Sequence, residues 1–318
     1  MSDETQKRKI LLLTLNHNMF DRLKYHLLLH GIIIIWGFTG ILGKIIHLDA
    51  YVLVWHRLWI ALMGLGIYFL FRKHDFYGIK RIEVWKLIGV GAVVGLHWMS
   101  FYKSIELSTV SLGILCLSTT TIHVTWLDPL VMKKRFSLID FILGLIVVFG
   151  IYFVANDFNA QENMALVYGL LSALLAAIFS VFNAQLSQKI SPTKMSFYEL
   201  LGAFFLLSFV LLFAGNLNET VFNLTLIDVF GLLFLGLICT SFAFLASIEV
   251  VKRLGAFTAS LSINLEPVYT IILAVIILHE NEVLSKRFYL GAALIVLVVI
   301  TNAVLKHFAN KEISLRNK

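Results

Sequence analysis

The 318-residue chain is 59% hydrophobic and 14% charged, with a mean hydropathy of +0.87. A soluble domain is about 45–50% apolar and about 25% charged, so the composition excludes a disordered chain, a soluble α/β enzyme and a disulfide-rich secreted module. The net charge is +7, and the two cysteines, Cys116 and Cys239, both lie within apolar runs, which speaks against a structural disulfide.

A membrane-spanning helix needs roughly 20 largely apolar residues. Ten stretches meet this, predicted at 26–45, 50–71, 84–104, 109–131, 138–155, 164–186, 197–215, 226–247, 256–278 and 286–306. Residues 1–25 are polar and basic and are read as a tail, and the first apolar run is read as a retained helix, because no small-residue cleavage site follows it. With the N-terminus placed in the cytoplasm, the segments on that side carry 21 Lys and Arg and the opposite loops carry four, with Arg57 inside a span. This asymmetry predicts that both termini are cytoplasmic and that the number of spans is even.

Ser104-Ile105-Glu106-Leu107 closes the third span and Ser247-Ile248-Glu249-Val250 closes the eighth, 143 residues later. In each half a Ser/Thr-rich helix, a polar break and a Gly-containing apolar helix follow. The pattern predicts an all-α membrane protein of ten transmembrane helices in two inverted five-helix repeats, 26–157 and 163–306, followed by a cytoplasmic tail at 307–318. An odd number of spans per repeat forces the halves into opposite orientations. This plan recurs in transporters, with the binding site between the repeats near the midplane.

Ionisable and polar side chains within the spans are the candidate site residues, because each costs several kcal/mol in lipid unless paired or solvated. In chain order, Trp36 sits mid-membrane in the first span, where it stacks on substrate or fills space. Arg57 in the second is either a counter-charge for an anionic group or the partner of a carboxylate. His97 and Trp98 fall just past the middle of the third, and His97 either binds substrate, relays a proton or packs. Ser118, Thr121, Thr125 and Asp128 share one face of the fourth span, and Thr121 is taken as cavity-lining. Thr240 and Ser241 are central in the eighth.

Glu266 is the sharpest candidate. Spacing puts Ser262, Glu266 and Tyr269 on one face of the ninth span, and Pro267 predicts a kink and a hinge beside the carboxylate. Asn183 and Gln185 of the sixth span, with Tyr198 and Glu199 of the seventh, read as gate or packing residues. Glu106 and Glu249 read as solvated helix ends. His26 and His30 are too few to make a metal site, and no nucleotide-binding glycine loop is present, so neither cofactor nor metal is expected.

Trp36-Gly37-Phe38-Thr39-Gly40-Ile41-Leu42-Gly43-Lys44, Arg57, Asn264-Leu265-Glu266-Pro267-Val268 with Leu278-His279-Glu280, and Leu290-Gly291-Ala292 stand in order along the chain. Over about residues 28–305 this resembles the drug/metabolite transporter superfamily, specifically its EamA-type ten-helix members. Lys133-Lys134-Arg135 stands where that family often has Gly-Glu-Arg. The resemblance implies export of amino acids or related small metabolites.

The reading is therefore a secondary transporter and not an enzyme, in the cytoplasmic (inner) membrane, working by alternating access at a central cavity. Its partners are a small-molecule substrate and the lipid bilayer. Glu266 and His97 are candidates for proton coupling, with exchange against a second substrate equally open. No nucleic acid is expected, and the protein is a monomer or a homodimer. The alternatives are a nucleotide-sugar or organophosphate exchanger of the same fold, a channel, or a membrane-embedded enzyme or flippase acting on lipid-like substrates.

Overall fold

The computed structural model describes residues 2–72, 78–133, 136–155, 160–215, 218–254, 262–263 and 265–316. Among these every regular element is helical. We number them α1 (Ser2–Ile45), α2 (Ala50–Arg72), α3 (Arg81–Leu107), α4 (Val110–Leu117), α5 (Thr120–Met132), α6 (Leu138–Ala155), α7 (Ala160–Leu186), α8 (Pro192–Phe213), α9 (Leu226–Leu233), α10 (Ala243–Leu254), α11 (Glu266–Leu278) and α12 (Lys286–Arg316). A π-helical segment, Phe234–Phe242, joins α9 to α10. Seven helical stretches among the described residues are long and apolar enough to cross a membrane, and Leu138–Val154 and Glu266–Leu278 are shorter apolar helices. With α4 and α5 as one span, and α9 to α10 as another, this is the ten-helix plan of a multi-pass membrane protein. Large apolar side chains such as Ile142, Phe149, Phe209 and Phe230 point outward, as lipid-facing positions do.

Three elements depart from the sequence expectation. The basic tail continues the first span as helix from Ser2, because its Leu- and Lys-rich stretch holds no Gly or Pro. The fourth span is broken at Ser118 and Thr119. There Ser118 Oγ donates to the Ile114 carbonyl, Thr119 Oγ1 to Cys116 and Thr120 Oγ1 to Leu117, at 3.1, 2.6 and 2.6 Å. Such back-bonding hydroxyls compete with the helical ladder. In the ninth span residues 262 and 263 are helical, Leu265 is a turn, and α11 begins at Glu266 with Pro267 in its first turn. A missing N–H is tolerated in a first helical turn.

The two halves interlock. Helix α3 packs on α7 and α8 of the second repeat, and the stretch from α9 to α10 packs on α1 and α2 of the first. Glycine allows both crossings. A Cβ built on Gly91 of α3 would lie 2.0 Å from the backbone oxygen of Glu199, and one on Gly236 of the π segment 3.3 Å from that of Arg57. Helix α6 pairs with α12 through Gly150 and Gly291, α5 lies on α6 and α7, and α11 lies on α1 and α4. The space left between the repeats holds the site.

Candidate functional site

A cavity of about 440 Å³ lies between the repeats. Its walls come from α1 (Trp36, Thr39), α2 (Arg57), α3 (Val94, His97, Trp98, Phe101), α4 (Leu117), α7 (Ala176, Phe179, Asn183) and α8 (Ser196, Glu199, Leu200). The π segment adds Cys239 and Thr240, α10 adds Phe244, and Ile263 and Glu266 complete the lining. Most of this surface is aromatic or aliphatic. The polar groups are few and separated, as in pockets that orient a small ligand.

Arg57 is 6% exposed and held from three sides. Its Nε donates to Thr240 Oγ1 at 2.9 Å and its Nη1 to Tyr102 Oη at 3.2 Å, while its guanidinium stacks 3.8 Å above the Trp98 ring. Tyr102 Oη in turn donates to the Thr39 carbonyl at 3.1 Å. A planar guanidinium suits this combination of fork and stack, and an ammonium does not. Five N–H groups against two protein acceptors leave donors for an anionic group.

The π segment explains the position of Thr240. A π turn leaves carbonyls five residues back, and side-chain hydroxyls take them up: Thr240 Oγ1 donates to the Leu235 carbonyl at 2.8 Å and Ser241 Oγ to Gly236 at 3.1 Å. Ser241 Oγ also lies 2.9 Å from the Ala61 carbonyl of α2. The irregular turn thus carries the hydroxyl that orients Arg57.

His97 Nδ1 sits 2.9 Å from the Ser172 carbonyl and 2.8 Å from the Ser172 hydroxyl, and its ring packs against Phe101 and Phe179. Glu266 opens α11, where the helix dipole favours a carboxylate. Its carboxylate takes no hydrogen bond among the described residues. Glu199, 7% exposed, accepts a hydrogen bond from Asn183 Nδ2 at 3.0 Å through one oxygen. Its other oxygen, Oε1, and Asn183 Oδ1 are both buried without a partner among the described residues.

The structure brings Trp36, Arg57, His97, Trp98, Thr240 and Glu266 to one cavity. Three other singled-out residues stand apart from its lining. Thr121 is half-buried in the first turn of α5, and Ser262 is half-buried next to the lining residue Ile263. Tyr269 turns toward α1, where its hydroxyl lies 3.0 Å from His30 Nδ1. Pro267 follows Glu266 in the first turn of α11. Among the described residues no three metal-ligating side chains cluster.

Sequence reasoning assigned Asn183 and Glu199 to gating or packing, and did not single out Tyr102, Phe101 or Phe244. The repeat holds the missed signal. Adding its 143-residue period to His97 and Phe101 gives Thr240 and Phe244, and Glu199 follows Arg57 by 142.

Fold and cavity define the class, a helical membrane protein of two interlocked five-span repeats around a central chamber. The model of the EamA-like transporter family matches residues 23–156 and again 163–303, and the chain belongs to that family. It is 26% identical over 282 residues to the uncharacterized transporter YoaV of Bacillus subtilis, covering 86% of this chain and 94% of that one. It is 24% identical over 274 residues to an uncharacterized transporter of Archaeoglobus fulgidus, covering 84% and 93%. A solved crystal structure shares the fold with a TM-score of 0.60 at 14% identity, covering 88% of this chain and 98% of that one.

Proposed function

We propose that this EamA-family transporter exports a small metabolite, an amino acid or a related compound, across the cytoplasmic membrane by alternating access at the central cavity. The observation that carries the reading is the lining itself. One chamber between the repeats holds a guanidinium with unused donors, two carboxylates and an aromatic wall. A molecule with a carboxylate, an amine and an apolar side chain matches those three features. The excess of Lys and Arg on one side supports cytoplasmic termini.

Alternating access requires contacts that can break and re-form. On the face carrying the α1–α2 turn, the Glu280 carboxylate accepts the backbone N–H of Val110 at 2.7 Å and of Ser111 at 3.0 Å, tying the end of α11 to the start of α4. Nearby, Lys103 pairs with Glu106 and Asp49, and Glu106 Oε2 accepts the backbone N–H of Ala50 at 3.0 Å. Contacts of this kind on one face are the sort that an alternating-access cycle would break and re-form. A ligand shifts the balance between facing states only by binding one state more tightly.

Counterflow in proteoliposomes tests the reading. Vesicles containing the purified protein and loaded with unlabelled amino acids should accumulate labelled L-phenylalanine saturably, and excess unlabelled amino acid should compete. Ion conductance without saturable flux would mark a channel. Product formation from lipid in detergent would mark an enzyme.

A further inference from the structure

Two residues of the cavity lining, Asn183 and Glu199, carry acceptors that the described residues do not fill. Glu199 Oε1 and Asn183 Oδ1 are buried behind the lining, belong to neighbouring side chains and have no donor among the described residues. A buried acceptor left unpaired costs about 1–3 kcal/mol, and more when the group is charged, so two side by side point to a missing donor. Each residue contributes its other polar atom to the bond that joins them, Asn183 Nδ2 donating to Glu199 Oε2, so with Glu199 ionised the pair has no donor of its own left for these two oxygens, and the donor is either a proton on Glu199 or a group from outside the pair.

The charges in the chamber identify the donor. Arg57 from α2, Glu266 from α11 and Glu199 from α8 face it, with His97 from α3 as the further titratable group. One guanidinium against two carboxylates leaves one negative charge in excess when both acids are ionised. A group that supplies several donors and one positive charge meets both requirements at once. A primary ammonium has three donors and no acceptor.

We infer that the Glu199–Asn183 pair is the subsite for the ammonium group of the transported molecule, with Glu199 on the second helix of its repeat as Arg57 is on that of the other. The inference deepens the proposed transport function and rests on it for the identity of the ligand. It assigns the substrate class as amine-bearing, with an apolar or aromatic body seated against Phe179 and Phe244.

The test uses three probes that share one aromatic body: L-phenylalanine, 2-phenylethylamine without the carboxylate, and 3-phenylpropionate without the amine. Binding to the purified full-length protein is followed by tryptophan fluorescence, since Trp36 and Trp98 line the cavity. Wild type should bind 2-phenylethylamine more tightly than 3-phenylpropionate. Glu199→Gln, which preserves shape, should weaken the amine by at least about tenfold, the scale of a lost charged hydrogen bond, and leave 3-phenylpropionate within about twofold. Asn183→Ala should weaken the amine by a smaller factor.

Amine affinity unchanged in Glu199→Gln overturns the assignment, as does no amine binding to wild type. A pH-dependent flux lost in that variant with amine selectivity intact also overturns it, and makes a proton the missing donor. Amine binding that depends on Glu199, together with an absence of flux in liposomes, supports the subsite and defeats the transport reading instead.

Discussion

Arg57 and Glu199 stand within one residue of the same place in the two repeats and carry opposite charge. Each lies on the second helix of its repeat, 142 residues apart, and each packs its backbone carbonyl against a glycine of the third helix of the other repeat. Both side chains line the same cavity. Duplication placed two related helices around one chamber, and divergence made one side cationic and the other acidic. His97 and Thr240, also related by the repeat, show the same divergence. Thr240 orients Arg57, whereas His97 is fixed by Ser172.

The glycine crossing predicts a sharp contrast in stability within α3. Gly91→Ala would put a Cβ 2.0 Å from the Glu199 carbonyl oxygen, a backbone atom that cannot swing away. Overpacking of this kind costs about 1–3 kcal/mol, so thermal denaturation in detergent should show a fall of several degrees. Gly89→Ala on the same helix has nothing within 4 Å and should be neutral or stabilising by up to about 1 kcal/mol. Equal melting temperatures for the two variants would remove the packing argument.

Glu280 caps the start of α4 from another part of the chain. Glu280→Ala strands two N–H groups and should destabilise by about 1–3 kcal/mol. The neighbouring exposed Glu282→Ala should have little effect. Thermal melts of the two variants side by side make the comparison.

Arg57→Lys keeps the charge but cannot reach Thr240 and Tyr102 together while stacking on Trp98. We expect counterflow to fall at least about tenfold with the melting temperature held within a few degrees, a loss equal to about 1.4 kcal/mol. Flux within twofold of wild type would reduce Arg57 to a diffuse positive charge.

Glu266 lines the cavity with no hydrogen bond to its carboxylate among the described residues, and glutamine there matches its volume. If this carboxylate carries the coupled proton, a pH gradient imposed across the liposome membrane should alter wild-type flux and leave that of Glu266→Gln unaffected. The same response in both proteins would end the coupling role. His97→Gln, measured in the same way, separates the two candidates for that role.

Much of this protein is legible in its sequence, because lipid imposes a one-dimensional rule. Backbone polar groups must be satisfied within each span, so length and apolarity alone mark the helices. The Ser-Ile-Glu echo at 104 and 247 shows the duplication, and the cost of intramembrane charge draws attention to Arg57 and Glu266.

Other features were decided only by tertiary structure. Helical spacing put Ser262, Glu266 and Tyr269 on one face, yet Glu266 lines the cavity while Tyr269 meets His30 of α1, with a turn at Leu265 between Ser262 and α11. Periodicity describes positions within one helix, whereas the cavity is a property of several helices crossing. Tyr102 looks like an ordinary aromatic residue until the fold sets it beneath Arg57. Glu199 looks like a helix-surface acid until the fold surrounds it and leaves one oxygen without a donor. The sequence determined that the chain crosses the membrane ten times in two related halves, through constraints that act residue by residue. The interlocking of those halves decided which side chains share a chamber, because that depends on distances between residues far apart in the chain.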